Sequence, residues 1–128
     1  MSFYDSLGLK GAAIRVLNVQ PGEWDEKLSC NLVVVDLDED PQYEAISYVW
    51  GNPQASKRSV IQVNGMPMSI TQSLYTALKR YRLAEQTRTM WADAICINQE
   101  DLQERSLQVL LMGRVYSQCT TCQIWLGL

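Results

Sequence analysis

Three apolar runs constrain the fold most: "EAISYVW" (44–50), "TMWADAICI" (89–97) and "CQIWLGL" (122–128), each preceded or followed by segments of helical spacing. Runs that are apolar on both faces suit strands covered from both sides, as in parallel sheets. Their alternation with helices calls for crossover connections between parallel neighbours. The expected class is therefore α/β, with a largely parallel central sheet and flanking helices.

The first half adds to this frame. "AAIRVLNV" (12–19) and "LSCNLVVVDL" (28–37) read as N-terminal strands on either side of the turn-rich "QPGEWDEK". In "SVIQVNGMPMSI" the pair Asn64-Gly65 favours the two positive φ angles of a type I′ turn, which predicts an inserted β-hairpin. "TQSLYTALKRYRL" predicts a helix capped by Thr71, with Leu74, Leu78 and Tyr81 on one face. "DLQERSLQVLLMGRVYSQ" predicts a second helix with Leu107, Leu110, Leu111 and Val115 as its core stripe. Asp101, Arg105, Gln108 and Met112 share another face of it, with Glu104 alongside.

At 128 residues the chain is long enough for one domain with a real core and too short for two of ordinary size. Residues 1–11 are expected to be disordered or loosely ordered, and residues 12–128 to form the domain. The run ends at "IWLGL" with no helix after it, so the domain is expected to be truncated at its C-terminal end. A hydrophobic fraction of 47% and a charged fraction of 20% suit a soluble protein. The net charge of −3, with no basic cluster, argues against a nucleic-acid partner. No apolar run approaches the roughly 20 residues of a membrane span. The start, "MSFYDSLGLKGAA", lacks the features of a signal peptide, so a cytoplasmic location is expected.

The chain contains no histidine, which excludes Ser-His and Cys-His nucleophile arrangements within it. "CTTC" (119–122) has C-x-x-C spacing, but a four-ligand site would need both Cys30 and Cys96 as well. Reduced, half-buried thiols are the simpler expectation, with no metal bound.

Candidate site residues cluster in "MWADAICINQEDLQER". Read as a strand, period-2 alternation places Asp93 on one face with Trp91, Ile95 and Ile97. A carboxylate there needs donors, and ligands of doubly wound sheets gather at the strands' carboxyl ends. The alternative is that Asp93 only bonds nearby loop amides. Asp101 and Glu104 have the spacing of a capping box, in which Glu104 reaches back to the cap; catalysis by Glu104 is the competing reading. At another strand end, Ser47, Tyr48, Trp50 and Gly51 gather a hydroxyl, aromatic rings and a flexible point. With Trp91 and Trp125 they are expected to line one crevice; core packing is the plainer alternative.

These segments together resemble the heterokaryon incompatibility (HET) domain of filamentous fungi. The resemblance runs from about Arg15 to Gly127 and rests on "YEAISYVWG", "VNG", "ITQSLYTALKRYR", "MWADAICINQEDLQERSLQVLLMGRVYSQC" and "QIWLG". It implies a role in fungal non-self recognition and programmed cell death, with protein partners or self-association. It also implies a distant likeness to Toll/interleukin-1 receptor domains, and hence to the innate-immunity group to which they belong. Signature positions that carry over are Ser47, Tyr48, Trp50, Gly51, Trp91, Asp93, Cys96, Asn98, Gln99, Asp101, Glu104, Arg105, Gln108 and Met112. The loop at 97–105 would be the contact surface.

Some members of the wider group cleave NAD, so the alternatives are an NAD-cleaving enzyme or an inactive truncated relic. No cofactor is expected; NAD enters only as a substrate. Asp93 or Glu104 would then stabilise an oxocarbenium-like centre, with nicotinamide stacked on Trp50 or Trp91. In the wider group the catalytic glutamate lies on a later helix, so its role does not carry over to Glu104.

Overall fold

The computed structural model describes Leu9, residues 11–48 and residues 58–125, with Tyr48 and Trp125 described as backbone. Seven strands form one sheet in the order β5-β4-β2-β1-β6-β3-β7. They are β1 (Ala13–Val19), β2 (Ser29–Asp36), β3 (Glu44–Tyr48), β4 (Arg58–Val63), β5 (Met66–Thr71), β6 (Arg88–Trp91) and β7 (Thr121–Trp125). The helices are α1 (Gln72–Tyr81), the short α2 (Asp93–Cys96) and α3 (Leu102–Gln118), and a 3-10 turn spans Leu37–Glu39.

The expected α/β class holds, but the sheet is mixed rather than largely parallel. β3 pairs in parallel with β6 and β7, as the alternation requires, and β2 pairs in parallel with β4. The antiparallel pairs β1–β2, β1–β6 and β4–β5 join more residues. The reason is local: β1 and β2, like β4 and β5, are joined by short connections that only reverse the chain. β1 then sits at the centre and joins the hairpin side to the parallel side.

The inserted hairpin forms as expected, with Asn64 at φ 52° and Gly65 at φ 78°. Asn64 also ties the hairpin to β2, since its Oδ1 accepts the Leu32 N–H at 2.8 Å. Thr71 caps α1 by accepting the Leu74 N–H, and Leu74, Ala77 and Leu78 are buried beneath that helix. The core runs through β1, whose Ile14, Val16, Leu17 and Val19 are all buried, and on into Met90, Trp91 and Ile95.

Three further expectations fail. The run 89–97 is not one strand: β6 stops at Trp91, and α2 begins at Asp93. The Cys96 N–H donates to the Ala92 carbonyl at 2.8 Å and that of Ile97 to Asp93 at 3.2 Å, which closes the turn. A short apolar run cannot be told from a buried helical turn by periodicity, and an aspartate suits the first helical position. Secondly, the α3 stripe is not all core. Val115 is buried, but Leu107 is 55% exposed and Leu110 79%. The helix instead rests on its Gln108–Val115 side. Thirdly, β7 is an exposed edge rather than a core strand, with Ile124 67% exposed. The segment 1–11 lies largely outside the described residues.

Polar ties hold α3 along its length. Glu104 receives Arg15, Gln108 donates to the Ala13 carbonyl at 3.1 Å, Tyr43 donates to Val115 at 2.5 Å, and Gln118 donates to Leu37 at 2.9 Å. No helix among the described residues is long and apolar enough to cross a membrane.

Candidate functional site

Two arginines are buried among the described residues, Arg82 at 8% exposure and Arg15, in the central strand, at 1%. Arg15 Nη1 and Nη2 donate to Glu104 Oε2 and Oε1 at 2.7 and 2.6 Å, the planar two-bond fork that matches guanidinium to carboxylate. Nη1 also donates to the Cys96 carbonyl at 3.2 Å. Glu104 Oε2 accepts a third bond, from the Asn98 N–H at 2.6 Å. Both carboxylate oxygens are thus occupied, and α2, the 97–101 loop and α3 are fastened to β1 at one point.

The rest of the motif completes this loop. Asn98 Oδ1 accepts the Glu100 N–H at 3.2 Å, and Gln99 Nε2 donates to the Asp93 carbonyl at 2.8 Å. Asp101 caps α3 by accepting the Glu104 N–H at 3.1 Å. The capping half of the expected box is present, but Glu104 does not reach back to Asp101: it turns to Arg15 and Asn98. Arg105 is exposed. Gln108 is buried, and its Oε1 has no hydrogen-bond partner among the described residues.

Beside the knot lies an open groove of about 690 Å³, lined by Arg15, Asn98, Glu104, Leu107, Gln108 and Leu111 among others. Asp93, Trp91 and Ser47 do not line it. Arg15 and Glu104 neutralise one another at its wall, so the groove carries no net charge from the pair.

Asp93 stands apart. It is half-buried at the start of α2, and burial pushes its carboxyl above the ordinary value, offset in part by the Ala94 N–H. Its charge reaches Tyr116, whose phenol is raised first by burial and then by Asp93. Tyr116 meets the Trp91 ring edge-on at 5.6 Å. Trp91 is fully buried, with its ring enclosed in the core and its Nε1 lacking a partner among the described residues. Because β3, β6 and β7 are parallel, their carboxyl ends point the same way; Tyr48 is level with Trp125, whereas Trp91 is level with Ala45, three residues short of them. Ser47 is exposed near the end of β3; Trp50 and Gly51 lie outside the described residues.

Cys30, Cys96, Cys119 and Cys122 are free thiols, the first two buried. Among the described residues no three metal-ligating side chains gather. Arg15 lies outside the motif that contains the other site residues. Its one signal in the sequence is a lone cation among Ile14, Val16 and Leu17, the counterpart of Asp93 in its apolar run.

Residues 43–128 match the family described as Heterokaryon incompatibility protein (HET). The chain is similar to Heterokaryon incompatibility protein 6, OR allele, of Neurospora crassa, with 34% identity over 138 aligned residues. That alignment covers 97% of this chain and 20% of the relative, so the chain spans about one fifth of the relative's length. No solved structure matches it. On the family match and this likeness, the chain belongs to the heterokaryon incompatibility (HET) family.

Proposed function

We propose that the chain acts in fungal heterokaryon incompatibility, as a cytoplasmic module that turns non-self recognition into programmed cell death by docking to itself or to protein partners. One observation carries the choice of docking over chemistry. The motif's glutamate, Glu104, has both oxygens held by Arg15 and one also by the Asn98 N–H. A carboxylate so saturated organises the 92–105 segment and has little capacity left to steady a developing cation. Free thiols suit the reducing cytoplasm. The parallel strands lie in the order second, first, third, as in doubly wound sheets, which supports the distant likeness to Toll/interleukin-1 receptor domains.

NAD cleavage is the second reading, and Asp93 favours it: a half-buried acid with a raised pKa at the carboxyl edge of the parallel strands. Two measurements separate the readings. Expression of the chain in a filamentous host, scored with a vital dye, is expected to lower viability. Purified protein incubated with NAD is expected to release no nicotinamide. Undiminished viability contradicts the incompatibility reading. Nicotinamide release that disappears in Asp93→Asn contradicts docking and selects the enzyme.

A further inference from the structure

We infer that the outward face of α3 is a two-fold contact with a second copy of this chain. This deepens the self-association proposed above and rests on that reading for its biological role.

The observation is a sector of helix without charge. At about 100° per residue, Leu102, Ser106, Val109, Leu110, Gly113 and Ser117 share one side of α3. All six are exposed, with Leu102 at 72%, Val109 at 55% and Leu110 at 79%. The charged side chains of the helix, Glu104, Arg105 and Arg114, fall outside that sector. A solvated helix normally turns its charges outward and its leucines inward. Here the inward face contains Gln108 and the outward face the leucines, an arrangement that calls for a covering surface.

The sequence of the face says what covers it. With a two-fold axis set between Val109 and Leu110, an antiparallel copy places Leu102 opposite Ser117, Ser106 opposite Gly113, and Val109 opposite Leu110. Large residues meet small ones at the ends, and Ser106 and Gly113, at the middle of the face around the helix, leave room for close approach. Such self-complementarity is what an isologous interface requires. Space for it exists: a Cβ added at Gly113 would meet nothing within 4 Å. One helix pair covers less than the roughly 800 Å² per partner of a standard interface, so a weak dimer in the micromolar range is expected.

The full chain is tested by sedimentation equilibrium from micromolar to millimolar concentration, alongside Leu110→Lys and Gly113→Leu. Both positions are exposed, so neither change disturbs packing within one copy. Leucine at 113 is also the better helix former and is expected to raise melting temperature while blocking the contact. A wild-type dimer that weakens at least tenfold in both variants supports the inference. A monomer throughout, or a dimer indifferent to both changes, overturns it. Viability in the fungal host distinguishes this failure from failure of the functional reading. A monomeric chain that still kills removes the dimer alone; a dimer that never kills removes the incompatibility reading alone.

Discussion

Arg15 and Glu104 are 89 residues apart in sequence and joined by two parallel hydrogen bonds of 2.7 and 2.6 Å. One belongs to the central strand and the other to the first turn of α3. Their side chains are 1% and 13% exposed, so salt screens the pair much less than it would one on the surface. The conspicuous run of amides and acids in this family's motif is organised around that pair. Its polar residues act mainly by folding the 92–105 segment back onto β1.

The two aspartates of the motif should respond oppositely. Asp101→Ala removes the α3 cap and is expected to cost about 1 kcal/mol in urea unfolding. The folded-state pKa of Asp93 is raised above 3.8, so its contribution to stability is present below that value and is lost as pH rises through the folded pKa. At pH 7 the charged form opposes folding. Asp93→Asn should therefore be neutral or stabilising at pH 7, with its advantage gone below pH 3.8. A loss at Asp93→Asn equal to that at Asp101→Ala contradicts this.

Acid should weaken the fold through Glu44. The hydrogen bonds from Arg88, at 2.6 and 2.9 Å, hold the Glu44 carboxyl below its usual 4.5. The stabilisation is then present above pH 4.5 and lost as pH falls through the lowered folded value. Glu44→Gln should be the less stable protein at pH 7 and converge with wild type in acid. Parallel stability curves across that range would sink the assignment.

The hairpin can be taken apart in two steps. Gly65→Ala places a side chain at φ 78° and is expected to cost about 1 kcal/mol. Asn64→Gly keeps the backbone geometry but removes the bond to the Leu32 N–H, and should cost about 1–2 kcal/mol. Unfolding midpoints of the two variants report each part; an unchanged Asn64→Gly would mean that the hairpin stands without β2.

Thiol chemistry offers a direct check of the core. Burial pushes Cys30 and Cys96 up to about 12, whereas Cys122 is exposed and Cys119 is half-buried. At pH 8 an aromatic disulfide reagent should label the latter two in the native protein and the former pair only after unfolding. Four equally reactive thiols would be incompatible with this core.

Local signals carried much of the fold. Asn64-Gly65 specified its turn, Thr71 and Asp101 their caps, and the alternation after residue 43 its parallel strands. What failed was whatever depended on partners distant in sequence. The antiparallel β1–β2 and β4–β5 pairs follow from short connections, but the placement of β1 against β6 is set by tertiary pairing, and no pattern within either strand announces it. Whether Leu107 and Leu110 face core or water depends on the azimuth at which α3 docks. That azimuth is fixed by Arg15, Ala13 and Leu37, which lie far outside the helix. Asp93 and Glu104 were legible as notable acids. Their environments were not, because one sits in a helical turn hidden inside an apolar run, and the other has its partner in the first strand.

The central claim is that Arg15 and Glu104 act as one unit that builds the motif loop. A double-mutant cycle with Arg15→Met, Glu104→Leu and both together, read by urea unfolding, tests it most directly. Each single change strands a buried charge and is expected to cost about 3–5 kcal/mol, while the double loses far less than the sum. The predicted coupling is about 2 kcal/mol or more. Additive losses, with coupling below about 0.5 kcal/mol, would contradict it.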